Sequence, residues 1–294
     1  MTQHVDKKAR LLYILSMVVF GTVGIFRRFI PLDSGLIAMI RGLLGGLFIL
    51  FFLMAVKRPF RFSHLKGKLV HLLFIGGVIG FNWVALFEAY RYTSVATATL
   101  CYYMQPIFLI LVSPFLFKEK LSWKKAVCVI IAFAGMVLVS GILKVGVGSG
   151  DLRGVIFGLI SALLYAFVIA ANKLFTGDLD PYEKTMIELF AAGLAVAPYL
   201  ALRGVFTSPE TAAGFTGISI ILLLVLGIFH TGITYVCYFG SLDKIRVQQA
   251  ALFGYFDPVV AVILSQLILH ETMTPLEWVG AVLIIGAAAV SEFI

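Results

Sequence analysis

The sequence predicts an all-helical integral membrane protein with ten transmembrane helices, arranged as two inverted five-helix repeats with both termini in the cytoplasm. Three observations lead to this prediction: an apolar composition, an uneven distribution of basic residues and an internal repeat. Hydrophobic residues make up 61% of the 294 positions and charged residues 13%, and the mean hydropathy is +1.04. Since a soluble domain is about half apolar and a quarter charged, we expect lipid to cover this chain.

Apolar runs between short polar breaks predict spans near 9–29, 33–56, 65–90, 94–117, 122–142, 151–174, 182–203, 215–240, 244–270 and 275–293. A spanning helix needs about 20 apolar residues, so ten spans occupy the chain and leave no separate soluble domain. The first run follows three basic residues, Lys7, Lys8 and Arg10. No small-residue cleavage site follows it, so we expect a retained helix rather than a signal peptide.

The basic residues indicate the orientation. With the N-terminus inside, 16 Lys and Arg lie at the inner ends and loops, 6 lie at the outer side, and Arg41 lies within a span. Cytoplasmic loops of membrane proteins are enriched in Lys and Arg, so we expect both termini in the cytoplasm and the chain in the cell (inner or plasma) membrane. This distribution accounts for the net charge of +8 without a nucleic-acid partner, which would need a clustered basic face.

The two halves of the chain match when one is shifted by 152 residues. Residues 82–121 and 234–273 align without a gap and share nine identities, among them Tyr103/Tyr255 and Pro106/Pro258. Helix 1 aligns loosely with helix 6 at a shift of 145. We therefore divide the chain into repeats 1–145 and 146–294. Because each repeat has an odd number of helices, the second is inverted, an arrangement typical of secondary transporters that open one central site to each side in turn.

The sequence resembles the EamA-type branch of the drug/metabolite transporter superfamily over essentially its whole length. The residues that carry this resemblance are the doubled repeat, Ala38–Gly42, Glu88–Val95, Pro106 with Lys118-Glu119, and Pro258 with His270-Glu271. Gly42 departs from the usual pattern, in which an aromatic residue often follows the arginine. The resemblance implies ten helices, cytoplasmic termini, and transport, often export, of small organic metabolites, commonly amino acids.

Charged side chains within a span cost about 2.5–3.5 kcal/mol on insertion scales and are functional candidates by default. Arg41 in helix 2 suits bidentate binding of a substrate carboxylate, and an interhelical ion pair or a carbonyl clamp is the structural alternative. Asp257 precedes Pro258 in helix 9, and its repeat mate is Gln105 before Pro106. Since proline frees a carbonyl one turn earlier, these side chains either repair the backbone or, at Asp257, bind an ammonium or carry a coupling proton.

Two further polar residues are candidates with open alternatives. Glu188 in helix 7 corresponds within two residues to Arg41, and it either pairs with a cation in the central cavity or lies near the inner surface. His230 shares a face of helix 8 with Thr231 and Thr234. It either titrates during transport or hydrogen-bonds between helices.

Aromatic residues are concentrated where helices 3, 4, 8 and 9 are expected to meet. We select Tyr103 and Tyr255 because the repeat pairs them, and add Trp83 and Tyr235, since aromatic faces bind planar rings by stacking and ammonium groups by cation–π attraction. Packing and interfacial belts are the alternative for many of these aromatics. Asn82 completes the candidate list, with hydrogen bonding between helices as its alternative.

The leading hypothesis is a secondary transporter of small amphiphilic metabolites, such as amino acids or related amines, that works by alternating access as a monomer or homodimer. Export is implied by the resemblance alone. No Walker motif is present, so proton exchange or facilitated exchange is expected, without a cofactor or metal. A cationic drug or quaternary amine exporter is the main alternative, followed by a lipid flippase or channel. The absence of His-Glu-x-x-His and Gly-x-Ser-x-Gly argues against an intramembrane enzyme.

Overall fold

A computed structural model describes residues 7–58, 65, 67–117, 122–141, 149–176, 179–242 and 244–293. Within these ranges the regular secondary structure is helical and no β-strand occurs. The long helices are α1 (Lys7–Arg28), α2 (Ser34–Ala55), α3 (Leu69–Tyr92), α4 (Val95–Phe117), α5 (Trp123–Val139), α6 (Ser149–Phe175), α7 (Pro181–Leu202), α8 (Gly217–Leu242), α9 (Val247–Gly254 followed by Phe256–Leu269) and α10 (Pro275–Ser291). A short helix, Pro209–Gly214, precedes α8.

The protein is a multi-pass membrane protein. Eight helices are long and apolar enough to cross a bilayer, and α10 is a shorter apolar helix. Helix α5 has 17 residues, or about 25 Å at 1.5 Å per residue, against a hydrocarbon core of about 30 Å. Large apolar side chains face outward, such as Phe115 with 85% and Val70 with 76% of their surface exposed. The count of ten crossings therefore stays a prediction.

Several residues used in the sequence analysis lie outside the described ranges. They are Arg61, Lys66, Lys118, Glu119, Lys120 and Lys144. The predicted sidedness of these basic residues and the Lys118-Glu119 motif therefore stay predictions from the sequence.

The short polar breaks of the sequence supply the helix caps. The Asp33 carboxylate accepts a hydrogen bond from Gly35 N at the start of α2, and the Ser94 hydroxyl accepts one from Thr97 N at the start of α4. Asp180 caps α7 in the same way, and Pro181 follows in the first turn, where no N–H partner is needed. These caps satisfy backbone groups that a helix end leaves unpaired, so two or three polar residues suffice to end one helix and begin the next.

The helix contacts follow the repeat. Helix α3 packs against α6 and α7, and the corresponding helices of the other half, α8, α1 and α2, make the corresponding contacts. Helix α4 contacts α6 as α9 contacts α1, while α2–α7, α4–α9 and α5–α10 are contacts between corresponding helices. The two halves therefore share a common packing plan around the contact of α4 with α9.

Ion pairs mark the two ends of the bundle. At one end, Arg28 at the end of α1 contacts Glu271 Oε1 at 2.9 Å and donates to Thr93 O at 3.3 Å. Gly154, near the start of α6, packs against the same Thr93. Helix α1 thus ends at the end of the bundle at which α6 begins, which we call the Arg28 end. Arg58, at the end of α2, contacts Asp180 at 3.3 Å at the start of α7.

Gly76 and Gly77 of α3 provide a test of this packing. A Cβ at Gly76 would lie 2.5 Å from both Glu188 O and Ala191 Cβ of α7, whereas one at Gly77 would have its nearest atom at 3.4 Å. Gly76→Ala should therefore push α3 from α7 and lower the free energy of unfolding by about 1–3 kcal/mol. Gly77→Ala should be neutral or slightly stabilising, since alanine is the better helix former. Thermal unfolding in detergent measures both, and equal effects would contradict the packing described.

Candidate functional site

Two helices of the bundle are broken at corresponding positions. Helix α4 consists of Val95–Tyr102 and Gln105–Phe117, and α9 of Val247–Gly254 and Phe256–Leu269. Pro106 and Pro258 stand just after the breaks. Because proline has no N–H, it cannot bond the carbonyl four residues earlier, and each second half begins as a new helix. Paired broken helices are typical of the binding sites of transporters built from inverted repeats.

Tyr103 links the two breaks. The carbonyl freed by Pro258 is that of Gly254, and the Tyr103 hydroxyl donates to Gly254 O at 3.4 Å. The Tyr103 ring lies 6.3 Å from the Tyr255 ring between centroids, with an angle of 48° between the planes. The Tyr255 hydroxyl instead donates to Glu292 Oε1 at 3.1 Å. The two tyrosines that the repeat pairs are therefore in contact but have different hydrogen-bond partners.

A cavity of about 740 Å³ surrounds the breaks. It extends from Arg41 and Trp83 inside the bundle to Leu242, Ala250 and Glu292 near the start of α9 and the end of α10. Of the 11 tyrosines in the chain, the following eight line this cavity: Tyr13, Tyr90, Tyr102, Tyr103, Tyr165, Tyr235, Tyr238 and Tyr255. Most of the tyrosines therefore line this internal cavity and do not form an aromatic belt at the membrane interface.

The lining follows the 152-residue repeat. Six pairs of lining residues are related by this shift: Trp83/Tyr235, Leu86/Tyr238, Tyr90/Leu242, Tyr102/Gly254, Tyr103/Tyr255 and Gln105/Asp257. They come from α3 and α8 and from α4 and α9, while α1 and α6, related by a shift of 145, add Phe20/Tyr165. The cavity is therefore shared between the two halves and built from equivalent positions of each.

Arg41 is the one arginine in this lining. Its Nε donates to Thr231 Oγ1 of α8 at 2.8 Å, and its guanidinium lies 4.3 Å from the centre of the Trp83 ring. The two terminal nitrogens have no hydrogen-bond acceptor or carboxylate within the described residues. A guanidinium held at Nε and stacked on an indole presents its other donors in a fixed plane, which suits bidentate binding of a carboxylate.

An unusual segment of α8 positions Thr231. Residues Val225–Ile233 form a π-helix, a type often found at functional sites. The Thr231 hydroxyl donates to Leu226 O at 2.8 Å, which leaves its lone pairs for Arg41 Nε. Gly45 of α2 allows this approach, because a Cβ there would lie 2.5 Å from Thr231 Cγ2. The π-helix and Gly45 together hold Thr231 against Arg41.

Asp257 supplies a carboxylate to the same cavity. It lies in the first turn of the second half of α9, where the helix dipole favours negative charge. The Tyr103 hydroxyl faces its carboxyl group, and no cation of the described residues lies within 4.0 Å. Its repeat mate Gln105 begins the second half of α4, and Gln105 Oε1 is buried without a hydrogen-bond partner. Both helix starts thus direct polar groups at the cavity.

Of the ten predicted site residues, the cavity brings together seven: Arg41, Trp83, Tyr103, Gln105, Tyr235, Tyr255 and Asp257. The other three lie outside the lining. Asn82 donates from Nδ2 to Ser161 O at 2.7 Å and to Ser161 Oγ at 2.8 Å, which joins α3 to α6. The side chain of Glu188 is buried and faces Asn172 of α6, with Oε1 unpaired.

His230 is held between α1 and α8. Its Nε2 lies 2.7 Å from Thr22 Oγ1 and its Nδ1 lies 3.2 Å from Val225 O. A ring protonated at Nδ1 donates to the Val225 carbonyl. The Thr22 hydroxyl has one proton and also lies 2.7 Å from Val19 O, so it donates either to Nε2 or to that carbonyl. The Phe26 ring packs on the imidazole with centroids 4.6 Å apart. These contacts tie α8 to Thr22, which lies between the two segments of α1, Lys7–Gly21 and Val23–Arg28.

Tyr13, Tyr165 and Glu292 are among the lining residues that were not selected from the sequence. The shift of 145 that relates α1 to α6 places Phe20, also in the lining, opposite Tyr165. Glu292 follows α10, and burial raises the pKa of its carboxyl group while the hydrogen bond from Tyr255 opposes that rise. No repeat partner marks Glu292 in the sequence.

The apolar helices, the cavity that holds Arg41 and Asp257, and the paired breaks define the class of protein, a membrane transporter. The model of the EamA-like transporter family matches residues 7–141 and again 152–292. The chain belongs to this family, which is part of the drug/metabolite transporter superfamily.

Curated relatives cover the same length. The chain is 29% identical over 283 residues to the uncharacterized transporter YxxF of Bacillus subtilis (strain 168), covering 95% of this chain and 87% of the relative. It is 26% identical over 284 residues to the protein PecM of Dickeya dadantii (strain 3937), covering 93% and 89%. A solved crystal structure matches with a TM-score of 0.62 at 21% identity over 97% of this chain and 96% of the other, a likeness in fold.

The contact of Thr231 with Arg41 can be tested by removing one hydroxyl. Thr231→Val leaves Arg41 Nε without its acceptor in a buried position, and we expect a loss of about 1–3 kcal/mol in the free energy of unfolding. Thr234→Val is the matched control, because the Thr234 hydroxyl donates only to Phe229 O at 2.7 Å. Unfolding in detergent measures both variants, and an equal or larger loss in Thr234→Val would contradict the role given to Thr231.

Proposed function

We propose that this protein is a secondary transporter of small amphiphilic metabolites, such as amino acids or related amines, which works by alternating access. The observation that carries the proposal is the cavity itself. It holds one arginine, Arg41, with free donors and one aspartate, Asp257, without a cation partner, on helices of different halves of the chain.

Arg41 and Asp257 fit the two ends of a zwitterion. A carboxylate on the terminal nitrogens of Arg41 forms charge-assisted hydrogen bonds, which are about twice as strong as neutral ones. An ammonium group at Asp257 is held by the carboxylate and by the surrounding tyrosine faces through cation–π attraction. A zwitterion therefore neutralises both side chains at once, in an environment where an unpaired charge is costly.

The size of the cavity favours a range of substrates. Ligand sites for drug-sized molecules measure about 300–1,000 Å³, and this cavity measures about 740 Å³. An amino acid leaves space for a large side chain or for bound water. The tyrosine rings offer apolar faces together with hydroxyl groups, which suits amphiphilic molecules rather than one fixed shape.

Alternating access is supported by the repeat. Helix α1 ends and α6 begins at the Arg28 end, as two inverted halves require, and six pairs of lining residues on α3, α4, α8 and α9 obey the 152-residue shift. Two halves of opposite direction that share one cavity can exchange conformations, which opens the cavity to one side and then to the other. We therefore retain repeats 1–145 and 146–294 and ten crossings as part of the proposal.

The remaining elements of the proposal concern location and energy. We place the protein in the cell membrane with both termini in the cytoplasm, since basic residues are concentrated at the predicted inner side. Export is the proposed direction. Asp257 is the proposed carrier of a proton exchanged for the substrate, because no cation neutralises it in the described part of the chain.

A quaternary amine or cationic drug is the second candidate substrate. The eight tyrosines and Asp257 favour it, since aromatic cages recognise quaternary ammonium groups. The free N–H donors of Arg41 argue against this candidate, because a cation cannot accept hydrogen bonds from them. The two candidates therefore differ in whether Arg41 contributes to binding.

A thermal-shift screen of the purified protein separates these candidates. Amino acids, primary amines and quaternary amines are compared, since a ligand that binds the folded state raises the melting temperature. For a zwitterion we expect the shift to be lost in Arg41→Gln and in Asp257→Asn. For a quaternary amine, Arg41→Gln should keep the shift. Asp180→Asn, at an exposed ion pair, is the control for Asp257→Asn.

Transport itself tests Asp257. In proteoliposomes, Asp257→Asn should abolish uptake of the ligand found in the screen and should remove the response of uptake to an imposed pH gradient. Wild-type uptake that does not change with the pH gradient would exclude proton exchange at Asp257. Asp180→Asn should transport like the wild type.

Labelling of single cysteines tests the inverted arrangement. Lys7→Cys and Asp151→Cys are both at exposed positions near the starts of α1 and α6. In intact cells, an impermeant thiol reagent should modify the cysteine at position 151, and should modify the one at position 7 only after permeabilisation. Modification of both from the same side would rule out inverted repeats and alternating access together.

A further inference from the structure

A second cavity lies at the Arg28 end of the bundle. It measures about 610 Å³ and is enclosed by the end of α1, the turn into α2, the ends of α3 and α7 and the short helix Pro209–Gly214. Four arginines line it: Arg27, Arg28, Arg91 and Arg203. We call it the arginine chamber. Tyr90 lines both this chamber and the central cavity. Its side chain is therefore part of the wall that separates the two cavities.

Three of the four arginines are paired with carboxylates. Arg28 contacts Glu271 at 2.9 Å, Arg91 contacts Glu88 at 2.9 Å and Arg203 contacts Asp33 at 3.1 Å. Each of these pairs is partly exposed, and such pairs contribute little to stability. Their charges nevertheless cancel locally, so none of the three provides the main attraction for an anion.

Arg27 differs from the other three. It is only 4% exposed, and its Nη1 and Nη2 donate to Ile30 O at 2.9 Å and Ser34 Oγ at 3.0 Å. Its Nε is buried without an acceptor, and no carboxylate of the described residues lies within 4.0 Å. Both acceptors are neutral, and Glu88 and Asp33 act on Arg27 only from beyond ion-pair distance, so the guanidinium has no direct counterion in a place where a lone charge is costly.

One lining carboxylate has no ion-pair partner among the described residues. Glu210 lies on the short helix Pro209–Gly214, exposed to solvent, at the edge of the chamber. An exposed carboxylate repels an incoming anion weakly through water. Glu210 therefore lowers the affinity of the chamber for anions slightly and does not occupy the position next to Arg27.

We propose that the arginine chamber is an anion-binding site in which Arg27 receives the carboxylate group of a small organic solute. The guanidinium keeps Nε–H and further N–H donors for an oxyanion while two neutral acceptors fix its plane. The site lies on the other side of Tyr90 from Arg41. If this solute is also the transported one, the inference rests on the function proposed above. Its carboxylate would then bind Arg27 in the arginine chamber and Arg41 in the central cavity.

The experiment uses the full-length protein in detergent with sodium acetate or sodium succinate as the probe and sodium chloride of equal ionic strength as the reference. All variants are made in an Arg41→Gln background, which removes anion binding in the central cavity. The melting temperature is recorded against probe concentration, because binding to the folded state raises it. We expect a carboxylate-dependent rise in this background.

Arg27→Gln should abolish the rise, and Arg27→Lys, which keeps the charge but not the planar donors, should keep part of it. Arg58→Gln is the matched control, because Arg58 is an arginine at the other ion pair, with Asp180, outside the chamber. It should leave the rise unchanged. A rise that persists in Arg27→Gln, or that is lost equally in Arg58→Gln, would overturn the proposal.

Glu210→Gln should increase the affinity for the probe, an effect that misfolding would not produce. Removing the repelling carboxylate should lower the probe concentration that gives half of the maximal rise in melting temperature by about threefold. An unchanged or higher concentration would count against the site. Stabilisation by phosphatidylglycerol with none by acetate or succinate would assign the chamber to lipid headgroups and overturn the proposal. Asp257→Asn should leave the rise in melting temperature unchanged, because Asp257 lies outside the arginine chamber. Failure of this proposal can therefore be distinguished from failure of the proposed transport function.

Discussion

The absence of water from the bilayer core constrains this structure more than any single contact. A carbonyl freed inside hydrocarbon costs several kcal/mol unless a partner is found. Pro106 and Pro258 free such carbonyls near the middle of α4 and α9, and the breaks occur where the two helices meet and enclose a cavity. Tyr103 donates to Gly254 O and so satisfies one break from the other helix. The cavity and its polar helix starts follow from this arrangement.

Two-fold packing and asymmetric chemistry coexist in the cavity. The backbone contacts repeat between the halves, yet Glu188, which corresponds to Arg41 when α2 and α7 are aligned by their Asp33 and Asp180 caps, lies outside the lining, and Asp257 corresponds to Gln105. Arg41, Asp257 and Glu292 are the charged side chains that the described part of the chain contributes to the lining. In the transport cycle proposed above, the separate positions of Arg41 and Asp257 give a bound zwitterion one preferred orientation.

The sequence predicts the helices but not the breaks within α4 and α9. Composition and polar breaks place each helix to within about four residues, and Pro106 and Pro258, which the repeat pairs, lie just after the two breaks. Those features depend on local chemistry and on the repeat. Seven of the ten selected residues come together for the same reason, since most lie on helices that the repeat relates.

The remaining residues depend on helix rotation, which the sequence does not specify. Asn82, Glu188 and His230 are polar residues within spans, but each faces a neighbouring helix rather than the cavity. The π-helix of α8 shifts the faces of the residues after it, and no pattern of apolar residues indicates where such a shift occurs. Tyr13 and Tyr165 are not paired by the 145-residue shift that relates α1 to α6, which places Gly158 opposite Tyr13 and Phe20 opposite Tyr165, so the repeat does not single them out.

The tyrosine lining has a consequence for how this fold diversifies. Close contacts between helices, such as Gly76 against Glu188 O, occur away from the lining, whereas Tyr13 and Tyr103 also hydrogen-bond to backbone carbonyls of α9. If the cavity binds cargo as proposed above, exchange of a lining ring without such a hydrogen bond changes which cargo fits while the bundle keeps its architecture. Gene duplicates can then acquire new cargoes through few mutations, without first evolving a new scaffold.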